Sequence, residues 1–542
     1  MFKITAPENN ENYSLFESFL TRKFSFTVTG LTALLRLLLI TKIKKITDKK
    51  ILFITSTEQN ALKYQNDLLK AFGETSDLIP FQNISMYEAV SANKYDYAEQ
   101  VRILTEKPDI VIAPVKTFLE KFPKQEFYEE NSLILNIGDE IDMKELAQKF
   151  VDLGYKRSTM VSDIGEFSIR GDIIDFYSLD KHPVRIELWG DEIVDIRYFN
   201  NETQKSVEKI KSAKIMPMYK FTLENGVPKE IKPEDEDGYF EGIEVYQNYF
   251  NTDMVGVLDY FKDYILVYDE TSELYSKYEF VDKNFEEQMQ ENLKLGLNID
   301  LKGRNHIPFE DFIQKSAGFV KIAFNNFLDS SFSHPEAFAE GSQEILRYAQ
   351  NDNYLIEFDT QPVQNFGANL DDIANFIEKY TNTPPLEKGD RGDLKPAGTA
   401  CRLPYNGGYN IIIATDYPER VKEILKEREI FDVKYSESIS SAGTILEDFK
   451  TIILTDRELF NKRTKEVTSS KRSYYKEKPE YIESINDIKE GEYVVHSIHG
   501  VGVYKGLSQQ EIDGQLKDYL TIEYANKDRL HIPAEQINLL VR

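Results

Sequence analysis

Short, uninterrupted apolar runs constrain the first part of this chain more than any other feature. Ile51–Thr55 and Ile110–Ala113 are each preceded by a charged residue, and helical periodicity over Asn60–Phe72 follows the first run. Pro114 opens another helix after the second run, at a position where proline is tolerated. Strands that are apolar on both faces and alternate with helices are typical of a parallel sheet covered by helices. The sequence therefore predicts an α/β domain here.

From about residue 155 the pattern changes to an alternation of polar and apolar residues. A Gly190-Asp191 turn interrupts it, and such alternation with turns is typical of an antiparallel sheet. The chain returns to the first pattern at 256–268, and a helix is predicted over 272–295. We therefore predict that the antiparallel sheet is inserted into the α/β domain. Its alternating segments are Glu166–Tyr177, Val184–Trp189 and Ile193–Phe199.

A smaller α/β domain is predicted over 318–460. Its strands are Ile411–Ala414 and Thr451–Leu454, with a helix at 417–428 between them. Segments 334–353 and 381–403 are poor in β-branched residues, and the second is rich in proline and glycine. Both are predicted to be surface insertions or loops. The basic segment 461–484 is interpreted as a linker, either a solvated tether or a contact for a polyanion.

The C-terminal segment combines glycine with short runs of period two. Val494, Val501 and Val503 alternate with polar residues or glycine, and Leu520 and Ile522 repeat the pattern after further turns. Small antiparallel strands joined by turns are predicted, in a barrel of about 60 residues. A barrel of that size without a cysteine framework holds little chemistry, so a binding role is predicted.

Length and composition restrict the function classes. With 542 residues the chain exceeds one hydrophobic core, and about three to five domains are expected. The net charge of -26 argues against a general nucleic-acid coat, because phosphate neutralisation needs a surplus of basic residues on the binding face. The single Cys401 excludes an internal disulfide and a cysteine-rich zinc site. A soluble protein of the reducing cytoplasm is expected, because no signal peptide or membrane span is visible.

No recognisable phosphate-binding loop is found in the sequence. The candidate position, Thr27–Ala33, has one glycine and no lysine, and Gly-Lys-Ser/Thr occurs nowhere in the chain. The acidic pair Asp139-Glu140 resembles a metal-binding pair. Because the phosphate-binding loop is missing, the pair is interpreted as two acidic residues on the surface. ATP hydrolysis by this chain, and any catalytic constellation, are therefore not predicted.

A metal site is not predicted either. His496 and His499 are three residues apart, but zinc needs about four good ligands and only His531 is expected to be near. A role in a turn or in packing is favoured for these histidines.

Within the inserted sheet, several side chains suit a partner contact. Guanidinium groups pair bidentately with carboxylates and are enriched among interface anchors. The alternatives are ordinary solvated strand residues for Arg157, Arg170, Arg185 and Glu187, and a core position for Phe176.

Two parts of the chain resemble known domains. Gly165–Phe176, with Arg185–Glu187 and Gly190–Ile193, is similar to the UvrA-interaction domain shared by UvrB and the transcription-repair coupling factor family. Val494–Tyr504 and Asp518–Ala525 are similar to the RNA polymerase interaction domain of that family and of CarD-like proteins. Only the coupling factors carry both domains in this order.

The resemblance implies an α/β multidomain architecture. A degenerate, helicase-like parallel α/β domain without nucleotide binding is interrupted by an antiparallel UvrA-interaction sheet. A second small α/β domain and a C-terminal SH3-like β-barrel of the RNA polymerase interaction type follow. The predicted boundaries are 1–120 and 212–317 for the first domain, 121–211 for the insertion, 318–460 for the second domain, 461–484 for the linker and 485–542 for the barrel.

The same resemblance implies partners and contact residues. UvrA is expected to bind a surface that carries Arg157, Arg170, Phe176, Arg185 and Glu187. Ser168 departs from the pattern, because UvrB-like sequences often have arginine there. The barrel is expected to dock on the RNA polymerase β subunit by pairing an edge strand, with contacts from Leu507, Ile512 and Tyr519.

The predicted function is that of an adaptor that joins stalled RNA polymerase to UvrA for nucleotide excision repair. In the family a DNA translocase follows the barrel, and the sequence stops at Arg542, so a fragment or a truncated product is expected. No cofactor is expected here, whereas ATP, Mg²⁺ and double-stranded DNA are implied for the full-length family. The alternatives are a DNA-stimulated helicase-class ATPase with a diverged phosphate loop, and a CarD-like transcription regulator that uses only the barrel.

Overall fold

The computed structural model divides the chain into two compact units, residues 1–467 and 468–542, which are described separately. Segments 334–353 and 382–403, and residues 462–484 of the predicted linker, lie outside the described residues. The structure describes residues 2, 4, 10–82, 93–180, 182–201, 203–229, 231, 240, 242–250, 253–294, 304–326, 354–381, 408–428, 430–431, 433–461, 491–496, 500–512, 515–523, 529–533 and 540–541.

A seven-stranded parallel sheet forms the centre of the first unit. Its order is β17-β1-β16-β15-β2-β4-β3, and every described pairing in it is parallel. The central strands are buried along their whole length, which explains their continuous apolar runs. The strands are β1 (Phe26–Thr29), β2 (Ile51–Thr55), β3 (Asp77–Leu78), β4 (Ile110–Pro114), β15 (Ile265–Asp269), β16 (Lys321–Phe324) and β17 (Leu355–Glu357).

Helices cover this sheet. The helix α2 is mostly apolar and buried, and Arg36, a cation in its first turn, is buried with it. The predicted helix after Pro114 is a short 3-10 turn, Val115–Leu119. The helices are α1 (Glu11–Thr21), α2 (Ala33–Thr47), α3 (Glu58–Asp67), α4 (Lys94–Glu106), α8 (Val257–Tyr260), α9 (Thr271–Lys294) and α10 (Phe309–Ser316).

A six-stranded sheet is built from the chain between β4 and β15. Its order is β12-β11-β10-β9-β8-β7, antiparallel except for the short β7–β8 pair. Its strands are β7 (Lys156–Arg157), β8 (Glu166–Arg170), β9 (Ile173–Phe176), β10 (Val184–Trp189), β11 (Glu192–Phe199) and β12 (Ser206–Ile210).

Two small antiparallel pairs accompany the six-stranded sheet. One joins β6 to β13, and the other joins β5 to β14. The helix α6 carries Phe150, which packs under the larger sheet. These elements are β5 (Lys121–Pro123), α5 (Gln125–Glu130), β6 (Leu133–Asn136), α6 (Met143–Asp152), β13 (Ser212–Ile215), α7 (Gln247–Phe250) and β14 (Met254–Gly256).

A second α/β sheet has five strands in the order β18-β21-β22-β19-β20. Its central pairs β19–β22 and β19–β20 are parallel. One hydrophobic core runs from the first sheet into this one, because Ile412, Phe449 and Ile453 pack in the same cluster as Phe16 and Leu35. The elements are β18 (Thr360–Pro362), α11 (Leu370–Thr381), β19 (Asn410–Ala414), α12 (Pro418–Glu427), β20 (Val433–Ser436), β21 (Thr444–Leu446), β22 (Thr451–Thr455) and α13 (Asp456–Phe460).

The second unit contains one antiparallel sheet with the strand order β26-β25-β24-β23-β27. The predicted mixed α/β class with a parallel sheet is confirmed. Pairing between β26 and β27, which would close a barrel, is not found among the described residues of this unit. The strands are β23 (Tyr493–His496), β24 (Gly500–Ile512), β25 (Gln515–Glu523), β26 (Arg529–Pro533) and β27 (Leu540–Val541).

Candidate docking sheet and the edge of the leading sheet

The six-stranded sheet has one apolar face and one polar face. Phe167, Ile174 and Ile186 are buried on one face, whereas polar side chains, among them Asp175 and Arg185, alternate with them on the other. A cross-strand row of polar residues results from the register. It consists of Ser168, Asp175, Arg185, Arg197 and Lys209, each opposite the next.

Asp175 organises one half of the polar face. Its side chain has 0% exposure, and Arg185 pairs with it in a fork, with Nε–Oδ1 2.6 Å and Nη2–Oδ2 2.9 Å. Arg170 contacts Oδ2 of the same carboxylate from β8. The Arg185 guanidinium also stacks 4.6 Å from the centroid of the Phe199 ring. Two arginines are therefore held on this face by one buried carboxylate.

Arg197 organises the other half. It donates to Glu187 on β10 and to Asp195 on its own strand, and Lys209 Nζ lies 2.6 Å from Asp195 Oδ1. The hydrogen bond from Arg197 lowers the pKa of Glu187, and the bond from Lys209, followed by that from Arg197, lowers the pKa of Asp195. The face thus presents alternating charges held in place by their neighbours.

The predicted UvrA-binding residues fall into two groups. Arg157, on the edge strand β7, is exposed, and Arg170 and Glu187 are about half exposed. Arg185 is mostly covered, and its guanidinium pairs with the buried Asp175.

The prediction that Phe176 is a surface contact is wrong, because the structure places this side chain in the core. Its side chain is fully buried and packs against Phe150, so it cannot touch a partner while the sheet is folded. The core position that the sequence left open is the one observed. Ser168 is also buried, and its hydroxyl donates to the Thr159 carbonyl at 3.1 Å.

The sequence-based prediction missed Trp189. It is the one tryptophan of the chain, and it is 81% exposed at the end of β10. Period two places it on the same face as Arg185 and Glu187, which is the signal that could have identified it. Val194, on the partner strand of the same hairpin, is also exposed.

At the carboxyl edge of the leading sheet, the candidate phosphate loop does join a strand to a helix, β1 to α2. Its glycine is covered by backbone. Phe358 N donates to the Thr29 carbonyl at 3.1 Å, and Thr360 Oγ1 donates to the Gly30 carbonyl at 2.6 Å. A Cβ added to Gly30, whose φ is +71°, would lie 1.9 Å from the Phe358 carbonyl oxygen.

An acidic pair that the sequence analysis did not single out lies beside this loop. Asp269 ends β15 and Glu270 follows it, and Arg36 of α2 contacts both, with Nη1–Oδ1 2.6 Å to Asp269. Burial raises the pKa of Asp269 to about 6, against the opposing effect of Arg36. The signal was the apolar run Ile265–Tyr268 with two acids directly after it. The predicted pair Asp139-Glu140 lies elsewhere, where Asp139 Oδ2 accepts from Asn136 N at 2.7 Å in a turn.

In the second unit, Leu507 is 48% exposed on β24. Tyr519 is opposite Ser508, and Ile512 is opposite Gln515, in the β24–β25 ladder. The side chains of Ile512 and Tyr519 lie outside the described part of the structure, as does His499. No helix in the described part of the chain is long and apolar enough to cross a membrane.

The fold and these surfaces define a mixed α/β protein with a parallel sheet and several smaller sheets, one of which carries the polar face. Residues 133–221 match the family model described as UvrB interaction domain, and residues 488–542 match the model described as CarD-like/TRCF RID domain. The chain is 26% identical over 564 residues to the transcription-repair-coupling factor of Staphylococcus aureus strain bovine RF122 / ET3-1, which covers 94% of this chain and 44% of that protein. The factor of Staphylococcus haemolyticus strain JCSC1435 gives 26% over 563 residues with the same coverage.

The chain therefore spans less than half the length of the curated relatives it matches. Its predicted resemblance to the N-terminal part of transcription-repair coupling factors is confirmed by the two domain matches and by these relatives.

Proposed function

We propose that this chain is the docking part of a transcription-repair coupling factor. Its inserted sheet binds UvrA, and its C-terminal unit, an SH3-like barrel, binds the β subunit of RNA polymerase. The observation that carries the proposal is the presence of both matched domains in one chain, in the order 133–221 and then 488–542. The protein would work in the cytoplasm as an adaptor for nucleotide excision repair.

The polar face of the inserted sheet supports the UvrA assignment. Arg170 is anchored through Asp175 but remains about half exposed, so its guanidinium keeps donors for a partner carboxylate. Glu187 is also partly exposed and is held by Arg197. Side chains that are already held in place lose little conformational freedom on binding. Trp189 adds a large apolar contact at the end of the same face.

The UvrA assignment is tested with purified UvrA and single substitutions in the full chain. Arg170→Ala removes an exposed donor while the Asp175–Arg185 pair remains. We expect at least tenfold weaker binding, which corresponds to about 1.4 kcal/mol. The matched control is Arg428→Ala, an arginine with 38% exposure against 47% for Arg170, which pairs with Asp371 in the second α/β sheet region. Equal affinity of wild type, Arg170→Ala and the Arg170→Ala, Arg185→Ala double variant would remove the assignment.

The polymerase assignment rests on the C-terminal unit. Leu507 presents an apolar side chain to solvent on β24, and among the described residues β26 and β27 stand at the two ends of the sheet, where a partner strand would pair. Leu507→Glu should weaken binding to the isolated β subunit and leave UvrA binding unchanged. Lys505→Ala, two residues away on the same strand, is the control for loss of a surface charge. Unchanged polymerase binding by Leu507→Glu would assign the contact elsewhere.

We also propose that the leading α/β domain does not hydrolyse ATP. The backbone of Phe358 lies against Gly30, and Arg36 pairs with the acids that would otherwise face a metal–nucleotide complex. ATP-driven translocation on double-stranded DNA, expected for the full-length family, is not assigned to these residues. Steady-state ATP turnover that survives purification, with DNA present, would favour the helicase-class alternative.

A further inference from the structure

Three side chains that the docking function does not use meet beside α9. Asp282 and Glu286 are one helical turn apart, so they lie on the same face of the helix. His306 faces both, with Nε2 2.8 Å from Asp282 Oδ1 and 3.6 Å from Glu286 Oε1. One oxygen of each carboxylate and one imidazole nitrogen all lie within 4.8 Å of one another.

The surrounding structure holds these groups in place. The His306 side chain is fully buried, and the next residue, Ile307, donates its N–H to the Leu119 carbonyl at 2.8 Å. Phe309 N donates to Asp282 Oδ2 at 3.0 Å, which directs Oδ1 toward His306. The cluster is therefore positioned by backbone contacts on both sides.

We propose that Asp282, Glu286 and His306 form a binding site for a divalent transition-metal ion, and that zinc fits the donors best. Imidazole nitrogen and carboxylate oxygen are ordinary zinc ligands, with bonds of about 2.0–2.2 Å. A tetrahedral arrangement at that length needs donors roughly 3.4 Å apart. The two separations from His306 Nε2, 2.8 Å and 3.6 Å, bracket this value, and the two carboxylate oxygens lie within 4.8 Å of each other. The donor set holds no thiolate, so it does not select copper(I).

Water can supply the remaining ligand, because two of the three side chains are partly exposed. The side chains of Asp282 and Glu286 are 18% and 32% exposed, so water reaches the side of the cluster opposite the buried imidazole. Three protein ligands and one water would complete the shell. An ion held this way ties α9 to the backbone at His306.

The competing arrangement is an ion-pair network without metal. Arg304 Nε lies 2.7 Å from Glu286 Oε1, and His306 Nε2 lies 2.8 Å from Asp282 Oδ1. The two carboxylates outnumber the one arginine, and this excess of negative charge attracts a dication. Arg304 is half exposed and can turn to solvent at small cost, because surface ion pairs contribute little.

The experiment is a zinc titration of the chelator-treated full chain, in competition with a chromophoric chelator. The background is Cys401→Ser, which removes the one thiol. We expect the Cys401→Ser parent to bind one zinc ion per chain that His306→Gln does not bind. The thermal unfolding midpoint of the parent should also be higher in the presence of zinc. Glu286→Gln, which changes a partly exposed side chain, should weaken this site at least tenfold. Glu287→Gln, the exposed neighbour on the same helix, should bind as the parent does.

Comparison among variants separates this site from zinc bound by other histidines. If the parent, His306→Gln and Glu286→Gln bind zinc with the same stoichiometry and affinity, or if the parent binds none at micromolar zinc, the cluster is an ion-pair network only and the proposal fails. If His306→Gln does not fold, the zinc affinity of Glu286→Gln is compared with that of Glu287→Gln, and this comparison decides whether the site exists.

Discussion

Arg185 and Asp175 form a bidentate ion pair across neighbouring strands, and the Asp175 carboxylate is not exposed to solvent. Arg170 contacts the same carboxylate, so a single buried acid positions two cations on the polar face of the inserted sheet. The geometry of this face therefore depends on a residue that no partner can touch.

Asp175→Ala is expected to destabilise the chain by about 3 kcal/mol, because it leaves Arg185 mostly buried without its counterion. Thermal unfolding followed by calorimetry measures the effect. Glu208→Ala, an exposed acid on β12, is the control and should change stability by less than about 0.5 kcal/mol. Equal midpoints for the two variants would contradict the anchoring role of Asp175.

Trp189 should report partner binding directly, since it is the chain's one tryptophan and is exposed. UvrA has to be prepared without tryptophan, or Trp189 selectively labelled, so that the signal is unambiguous. We expect a blue shift of the emission on binding, and Trp189→Ala should weaken binding by about 2 kcal/mol, the level of an aromatic hot spot. Val207→Ala, an exposed apolar residue on β12, is the control. An emission spectrum unchanged at saturating UvrA would place Trp189 outside the contact.

Gly30→Ala should destabilise the leading domain more than Gly171→Ala does. Both glycines have positive φ, +71° and +59°, so both substitutions carry the backbone cost of about 1 kcal/mol. Only at Gly30 does the new Cβ meet another backbone, the Phe358 carbonyl at 1.9 Å, whereas the space at Gly171 is open. The difference between the two thermal midpoints isolates the close approach. Equal losses of stability in the two variants would show that the backbone of residue 358 moves away from the new Cβ at no cost.

The raised pKa of Asp269 predicts a pH dependence. Burial holds the folded-state pKa at about 6, above the ordinary value of 3.8, so the folded state binds more protons than the unfolded state between about pH 4 and pH 6. Stability contributed by this group is therefore present below pH 4 and is lost as pH rises toward 6. Relative to Asp269→Asn, the wild type should lose stability across this window. Asp172→Asn, the same substitution at an exposed position, is the control.

Local patterns predicted the strands well where a strand's environment is simple. Ile51–Thr55 and Ile110–Ala113 are buried on both faces, so their sequence alone indicates a central parallel strand. The alternation in Val184–Trp189 likewise indicated which side chains point outward. It could not distinguish an exposed arginine from one that pairs with a buried acid, because Arg185 and Asp175 meet only through strand register.

Relationships between distant segments escaped prediction for the same reason. Arg36 and Asp269 are 233 residues apart, and Asp282 and His306 belong to different elements, so no local spacing brings them together. The phosphate-loop position was found from the sequence, but the backbone of Phe358 over Gly30 depends on how β17 adds to the sheet beside β1.

The β5–β14 pair is also the place where the chain leaves the leading sheet and returns to it. The outgoing chain at Phe122 is directly opposite the returning chain at Val255, so the two crossings are about one strand spacing, roughly 4.8 Å, apart. A stem this narrow keeps the two ends of the inserted segment together, while Tyr128 and Met216 within the segment pack in the same buried cluster as Leu52 and Leu266 of the host sheet. Transfer of this segment to an unrelated α/β host would therefore need both a matching pair of attachment points and a host core that accommodates Tyr128 and Met216.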